Sequence, residues 1–245
     1  SSGTWTASYA IVAGSIDAVD RNVSVTTTDN AGNSTTAADD TNATVDNVAP
    51  TVSDAKISIS GASGTGGAYR IGDTVAATWN NTASGDNNTD TVAGVTVNFT
   101  AFGGGSAVAA SNSSGTWTAS YTIVSGAVDA ASRNVSVTAT DNAGNPTTAS
   151  DTTNATVDSV RPTITDILDQ TILEDQNSGA LVFAIGDTLS GTANLTVAVN
   201  SSNPALVPNS NVVLGGSGAN RTLTATPLAN QNGAATITVT VTDPA

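Results

Sequence analysis

Apolar residues recur along this chain at every second position. Val75, Ala77 and Trp79 alternate with polar neighbours, as do Val95, Val97 and Phe99. Trp117, Ala119, Tyr121 and Ile123 share one face, and Val135, Val137 and Ala139 another. Leu181/Phe183/Ile185, Leu195/Val197/Val199 and Ile237/Val239/Val241 carry the pattern toward the end. A period of two with polar partners marks strands that bury one face and wet the other. Between these runs lie GASGTGGAY, NNTASGDNNTD, FGGGS and DNAGN, all turn or loop chemistry. No stretch of ten residues has helical spacing. Seven strands are predicted within 49–160, at about 51–60, 72–79, 93–101, 106–111, 115–124, 133–140 and 146–157. Seven short strands in about 110 residues predict an all-β Greek-key sandwich.

The chain also repeats itself. SSGTWTASY at 1–9 recurs unchanged at 113–121, an offset of 112. RNVSV at 21–25 and 133–137, TDNAGN at 28–33 and 140–145, and TNATVD at 41–46 and 153–158 keep the same offset. A fixed period of this length is a whole domain, repeated in tandem. Residues 1–48 are therefore read as the C-terminal part of one unit and 49–161 as a complete one. The pattern changes after Pro162, so 162–245 is read as a different sandwich module. Trp5 and Trp117 hold the same repeat position, each with an Ala and a Tyr on its face, and are expected in cores. Residues 1–48, with only three predicted strands, are expected to lack an opposing sheet.

Composition narrows the chemistry. The 245 residues carry 20 Asp+Glu against 6 Lys+Arg, a net charge of −14, with no Cys, His or Met. Glu174 is the one Glu. Without Cys or His there is no disulfide, thiol nucleophile, imidazole base or zinc site. The acidic excess excludes a nucleic-acid partner, since that affinity comes mainly from clustered Lys/Arg. No apolar run approaches the roughly 20 residues of a membrane span, and no signal peptide is read. Beginning without Met, the sequence is read as a piece of a longer protein or a mature product. The apolar fraction of 38% is low and built from small residues, which predicts thin cores.

TDNAGN closing a strand, VDNVAPT or VDSVRPT at the unit boundary, and IGDTV before the second strand are together a specific combination. With them residues 1–161 resemble bacterial immunoglobulin-like repeats, the extender modules of giant surface adhesins. Residues 162–245 are similar to the cadherin-like modules of the same proteins, through ILEDQ and ANQNGAATITVTVTD. The resemblance implies tandem β-sandwiches in a linear array, secretion to the bacterial cell surface, and Ca2+ at domain junctions. It implies no catalysis.

Topology places the carboxylates independently. In such a sandwich the second–third and sixth–seventh strand loops lie at the pole where the chain enters. Here those loops carry Asp86 and Asp90, and Asp141 and Asn142, while the preceding linker delivers Asp46. Converging oxygen donors suit calcium, which takes six to eight of them in irregular geometry. Asp and Asn equally suit turn capping, so that reading stays open. At the next junction Asp158 repeats Asp46, and the following module offers Asp166, Asp169, Glu174, Asp175 and Asp187. The resemblance adds a terminal acid, Asp243. Asp73 and Asp129 are secondary candidates beside Asp158.

Other signals carry less. Asn-X-Ser/Thr sequons follow from composition. Lys56, the one lysine, rules out a general Lys–Asn cross-link. TITVTVT is read as the solvent side of a strand rather than an ice-binding face, and Asp39-Asp40 as surface charge rather than a glycosidase pair. The expected function is a non-catalytic extracellular spacer, stiffened by calcium between neighbouring repeats of the same chain. Two alternatives are a filament or sheath subunit that contacts other copies, and a carbohydrate-binding module. The latter has only Tyr69 and Phe102 in loops where an aromatic platform could form.

Overall fold

The computed structural model describes residues 3–14, 16–126 and 128–244. The protein is all-β. Four strands lie in the first segment: β1 (Asp17–Arg21), β2 (Ser24–Thr28), β3 (Ser34–Ala38) and β4 (Ala43–Asp46). The central stretch holds β5 (Ile57–Ser60), β6 (Tyr69–Arg70), β7 (Thr74–Asn80), β8 (Val92–Asn98), β9 (Val108–Ala109) and β10 (Ser111–Ser113). It continues with β11 (Thr116–Thr122), β12 (Asp129–Arg133), β13 (Ser136–Asp141), β14 (Pro146–Ser150) and β15 (Ala155–Asp158). The last stretch holds β16 (Thr163–Ile164), β17 (Leu181–Gly186), β18 (Thr196–Ser201), β19 (Val212–Ser217), β20 (Asn220–Ala225) and β21 (Ile237–Thr242).

Two four-stranded sheets build the central stretch, in the orders β10-β11-β7-β5 and β14-β13-β8-β9. Their alternating side chains meet in one buried cluster. Val75, Ala77 and Trp79 come from β7, Trp117 and Ala119 from β11, Val95 and Val97 from β8, and Val137 and Ala139 from β13. Register puts Ile57, Trp79 and Trp117 side by side across three strands. Such cross-strand rows are the packing unit of a sheet. Tyr69 and Phe102 close the cluster edge-on, ring centroids 5.6 Å apart. A small third sheet, β12-β15-β6, carries the chain out of this stretch, with β6 parallel to β15.

A second, separate cluster gathers Phe183, Ile185, Leu195, Leu206, Val207, Val212 and Leu223. It lies with the β16-β17-β20-β19 sheet and the β18-β21 pair.

Several strand expectations change. Of residues 51–60 only Ile57–Ser60 are strand, because Asp54–Lys56 form a 3-10 turn, and β6 was not expected. Residues 106–111 divide at Ala110 into β9 and β10, which join opposite sheets. Residues 146–157 divide at a turn where Asp151 accepts from the Thr153 backbone and hydroxyl and Asn154 takes a positive φ, sending β15 to a different sheet from β14. β12 has no clear alternation and was not expected. Its pairing with β15 is broken by a bulge between Ala130 and Arg133.

The expectation for Trp5 also changes. Trp117 is 9% exposed, whereas Trp5 is 92% exposed and residues 3–14 form no strand. Among the described residues β2 pairs only with β3 and β1 only with β4, so nothing packs over that face.

Candidate metal centres

Among the described residues, two groups of three aspartates have carboxylate oxygens within 4.8 Å of one another: Asp46, Asp90 and Asp141, and Asp129, Asp158 and Asp187. Each group sits where one stretch of chain meets the next.

The first begins with a local motif. In DNAGN the Asp141 carboxylate accepts from Ala143 N at 2.9 Å, Asn145 N at 2.8 Å and Asn145 Nδ2 at 2.8 Å. The repeat-equivalent Asp29 accepts from Ala31 N, Asn33 N and Asn33 Nδ2 in the same way, although that loop is fully exposed. The loop is thus intrinsic to its sequence. Burial raises the Asp141 pKa, but Asn145 and the loop amides outweigh it and hold the carboxyl below its ordinary value. Asn145 Nδ2 also reaches the Asp46 backbone oxygen and Oδ1, both at 3.3 Å. Asp46, at the end of β4, is pushed up by burial and then by the charges of Asp141, Asp90 and Asp17. Asp90 accepts from Thr91 N at 2.7 Å through Oδ1, while its buried Oδ2 has no partner.

Asp86 and Asn142 do not join them. Asp86 fastens the linker to the loop, accepting from Ser53 N at 2.9 Å and from Trp79 Nε1 at 2.7 Å. Burial raises its pKa, yet these donors and the Lys56 charge leave it lowered. Asn88 works beside it, donating to Thr51 O at 2.9 Å and accepting from Thr51 N at 2.7 Å. Gly85 permits the tight turn, because a Cβ there would lie 2.1 Å from Asn80 O. Asn142 is exposed, and its backbone N–H donates to Thr91 O. Asn145, three residues on, is the asparagine that reaches the group; the second Asn of DNAGN was the missed signal.

At the second group, strand register supplies the crowding. Asp129 on β12 lies directly opposite Asp158 on β15, an arrangement that is destabilising for like charges. Asp187 arrives from the loop after β17. Its Oδ1 is capped by Leu189 N at 3.0 Å and Ser190 N at 2.6 Å, and its buried Oδ2 is unpartnered. Asp158 is 4% exposed, with Oδ1 unpartnered and Oδ2 touched only weakly by Ser190 Oγ at 3.4 Å. Both Asp129 oxygens are buried and unpartnered. Burial, then the charges of Asp129, Asp243 and Asp187, push the Asp158 carboxyl up to about 6. Asp129 is raised as well, first by burial. Four carboxylates therefore repel one another here, counting Asp243.

The other candidates lie elsewhere. Asp175 is exposed, at a positive φ, and caps Asn230 N at 3.0 Å. Asp166, Asp169 and Glu174 are exposed. Asp73 is bound to Ser63 and the Arg70 backbone. Asp129, a secondary candidate, stands at the centre of the second group.

Donor chemistry fits a hard divalent cation. Every unpartnered oxygen in the two groups belongs to a carboxylate, and orphaned buried oxygens are costly without a counter-charge. Three carboxylates, nearby backbone carbonyls and water can supply the six to eight oxygens calcium takes. Tyr69 and Phe102, the two loop aromatics considered for a sugar platform, are buried against each other and form none. No known family matches the chain, and no curated protein matches it. Among the described residues no helix is long and apolar enough to cross a membrane.

Proposed function

We propose that the protein is a non-catalytic extracellular spacer of a bacterial surface protein, in which Ca2+ bridges successive β-sandwich units. One observation carries the reading: each acidic group takes carboxylates from both sides of a joint. Asp46 comes from the first segment, while Asp90 and Asp141 belong to the central stretch. Asp129 and Asp158 end the central stretch, while Asp187 begins the next. An ion there ties neighbouring units together and cancels a repulsion that otherwise pries them apart. The motif resemblance of residues 1–161 to immunoglobulin-like repeats, and of 162–245 to cadherin-like modules, supports a tandem linear array on the cell surface.

In this arrangement Asp158, Asp129 and Asp187 hold the ion at one joint, and Asp46, Asp90 and Asp141 hold it at the other. Asn145 orients Asp141 and Asp46, and Ser190 supports Asp158. Bound calcium supplies charge neutralisation and nothing else. Because it binds the folded form, it stabilises by about 2.7 kcal/mol at one hundred times its dissociation constant. Thermal melts in chelator and in millimolar calcium test this. A rise with calcium, reduced in Asp158→Asn, is expected; superimposable curves would rule the reading out.

A further inference from the structure

The last stretch carries a charged group that the joints do not use. Arg221 is the one cation within 162–245, among six acids. Register places it on β20 between Phe183 of β17 and Gly216 of β19. Its Nε donates to Gly218 O at 2.9 Å and its Nη2 to Thr192 O at 3.4 Å. Neither acceptor is a carboxylate, and a guanidinium has further N–H groups to give. Two spaces meet at this row. A recess of about 150 Å³ is lined by Phe183, Val197, Leu214, Gly215, Gly216 and Arg221. A groove of about 640 Å³ shares Phe183, Gly216 and Arg221 with it. Thr165, Val182, Ala184, Ser217, Asn220 and Thr222 complete the groove. Gly216 has a φ of +82°, and a Cβ there would lie 2.4 Å from Asn220 O and 2.8 Å from Arg221 Cα. That position therefore admits no side chain that could close the way to Arg221. No acid lines either space, so Arg221 sets the local sign of charge in a chain of net −14.

The geometry points to a binding site for a sugar acid, a hexuronate whose carboxylate meets Arg221 and whose ring lies in the groove. Carboxylate is the anion that the planar fork of a guanidinium matches best. The groove has the volume of an ordinary small-ligand site. Its polar groups suit ring hydroxyls: Ser217 and Asn220 are exposed, and Thr222 stands beside them. Thr165 accepts from Ala184 N at 2.9 Å, which leaves its hydroxyl proton to give. Val182, 76% exposed, and Ala184 offer an apolar floor to the C–H face of the ring. An alkyl carboxylate would leave the hydroxyl and amide groups unpaired, which costs affinity. A neutral sugar would leave the guanidinium without its counter-charge. The site is independent of the calcium reading of the joints.

Nuclear magnetic resonance of the metal-free 245-residue protein tests this, with sodium glucuronate titrated into a buffer free of other carboxylates. The amides of Gly216 and Asn220 and the Arg221 Nε–H are expected to shift saturably. Glucose should leave them in place, and acetate should bind at least about tenfold more weakly than glucuronate. Arg221→Lys keeps the charge but loses the fork, and should weaken glucuronate by about tenfold. Thr222→Val leaves the Gly218 and Thr192 contacts of Arg221 intact, and should weaken glucuronate while sparing acetate. No saturable shift in the unaltered protein overturns the inference. So does an equal response to glucose or to acetate, or undiminished glucuronate binding in Arg221→Lys.

Discussion

Asp158 is the residue on which the charge of the protein acts most sharply. Its pKa near 6 in the fold exceeds the ordinary 3.8, so between about pH 4 and pH 6 the folded chain holds more protons than the unfolded one. Stability of the metal-free protein therefore falls as pH rises through that window. Asp73, Asp86 and Asp141 are lowered, so what they contribute is lost only on further acidification, below about pH 4. In chelator the melting temperature should be higher at pH 5 than at pH 7. Asp158→Asn should flatten this slope and raise neutral-pH stability without metal, while weakening the calcium response. A slope unchanged in that variant would assign the effect to the general excess of acid. Asn145→Ala probes the other joint. Losing its donors to Asp141 and Asp46 should cost about 1 kcal/mol in chelator, measured by urea denaturation.

Among elements, β11 and its sequence twin at 4–10 separate what local pattern dictates from what partners dictate. Trp117→Ala removes a buried ring and should cost about 3–5 kcal/mol. Trp5→Ala, in identical sequence surroundings, should change stability by less than about 0.5 kcal/mol, as exposed substitutions do. Chemical denaturation of the two variants checks the contrast. This pair also marks the limit of reading alternation from sequence. Alternation located β7, β8, β11 and β13, because each buries one face on both sides of the same core. It missed β12, whose residues are half wet and bulged, and it could not say that β9 and β10 part to opposite sheets. The converging loops were legible because loop order fixes which pole they occupy. That Asp86 would be consumed in fastening the linker was not, since that depends on Ser53 and Trp79 in three dimensions. Asp129 could be only a secondary candidate, because its place opposite Asp158 is a matter of register.

At the scale of the molecule, the first segment and the two buried clusters follow one another through linkers whose ends carry like charges. Small-angle scattering should show the envelope narrowing to a stiffer, less variable shape when calcium replaces chelator. Increasing ionic strength without calcium should give part of that change, since screening weakens the repulsion over about 10 Å at 0.1 M salt. Profiles that respond to neither would place the joints under the control of packing alone. The outer sheet faces should be indifferent to salt. They are tied by hydroxyl pairs such as Thr138–Thr148 and Ser58–Thr78, both 2.7 Å, which carry no charge to screen.

The parallel pairing of β6 with β15 has a mechanical consequence. It consists of two residue pairs, Val157↔Tyr69 and Asp158↔Arg70. Because the strands run the same way, opposite tugs on the two ends of the chain slide them past each other, loading both pairs at once. So short a contact yields at low tension. Asp158 is its last residue and also part of the carboxylate group, so an ion held between Asp158 and Asp187 would relieve the intervening chain of the pull and deliver it directly to this pairing. A cable made of such units would be slack-tempered in fresh water and taut where divalent ions abound.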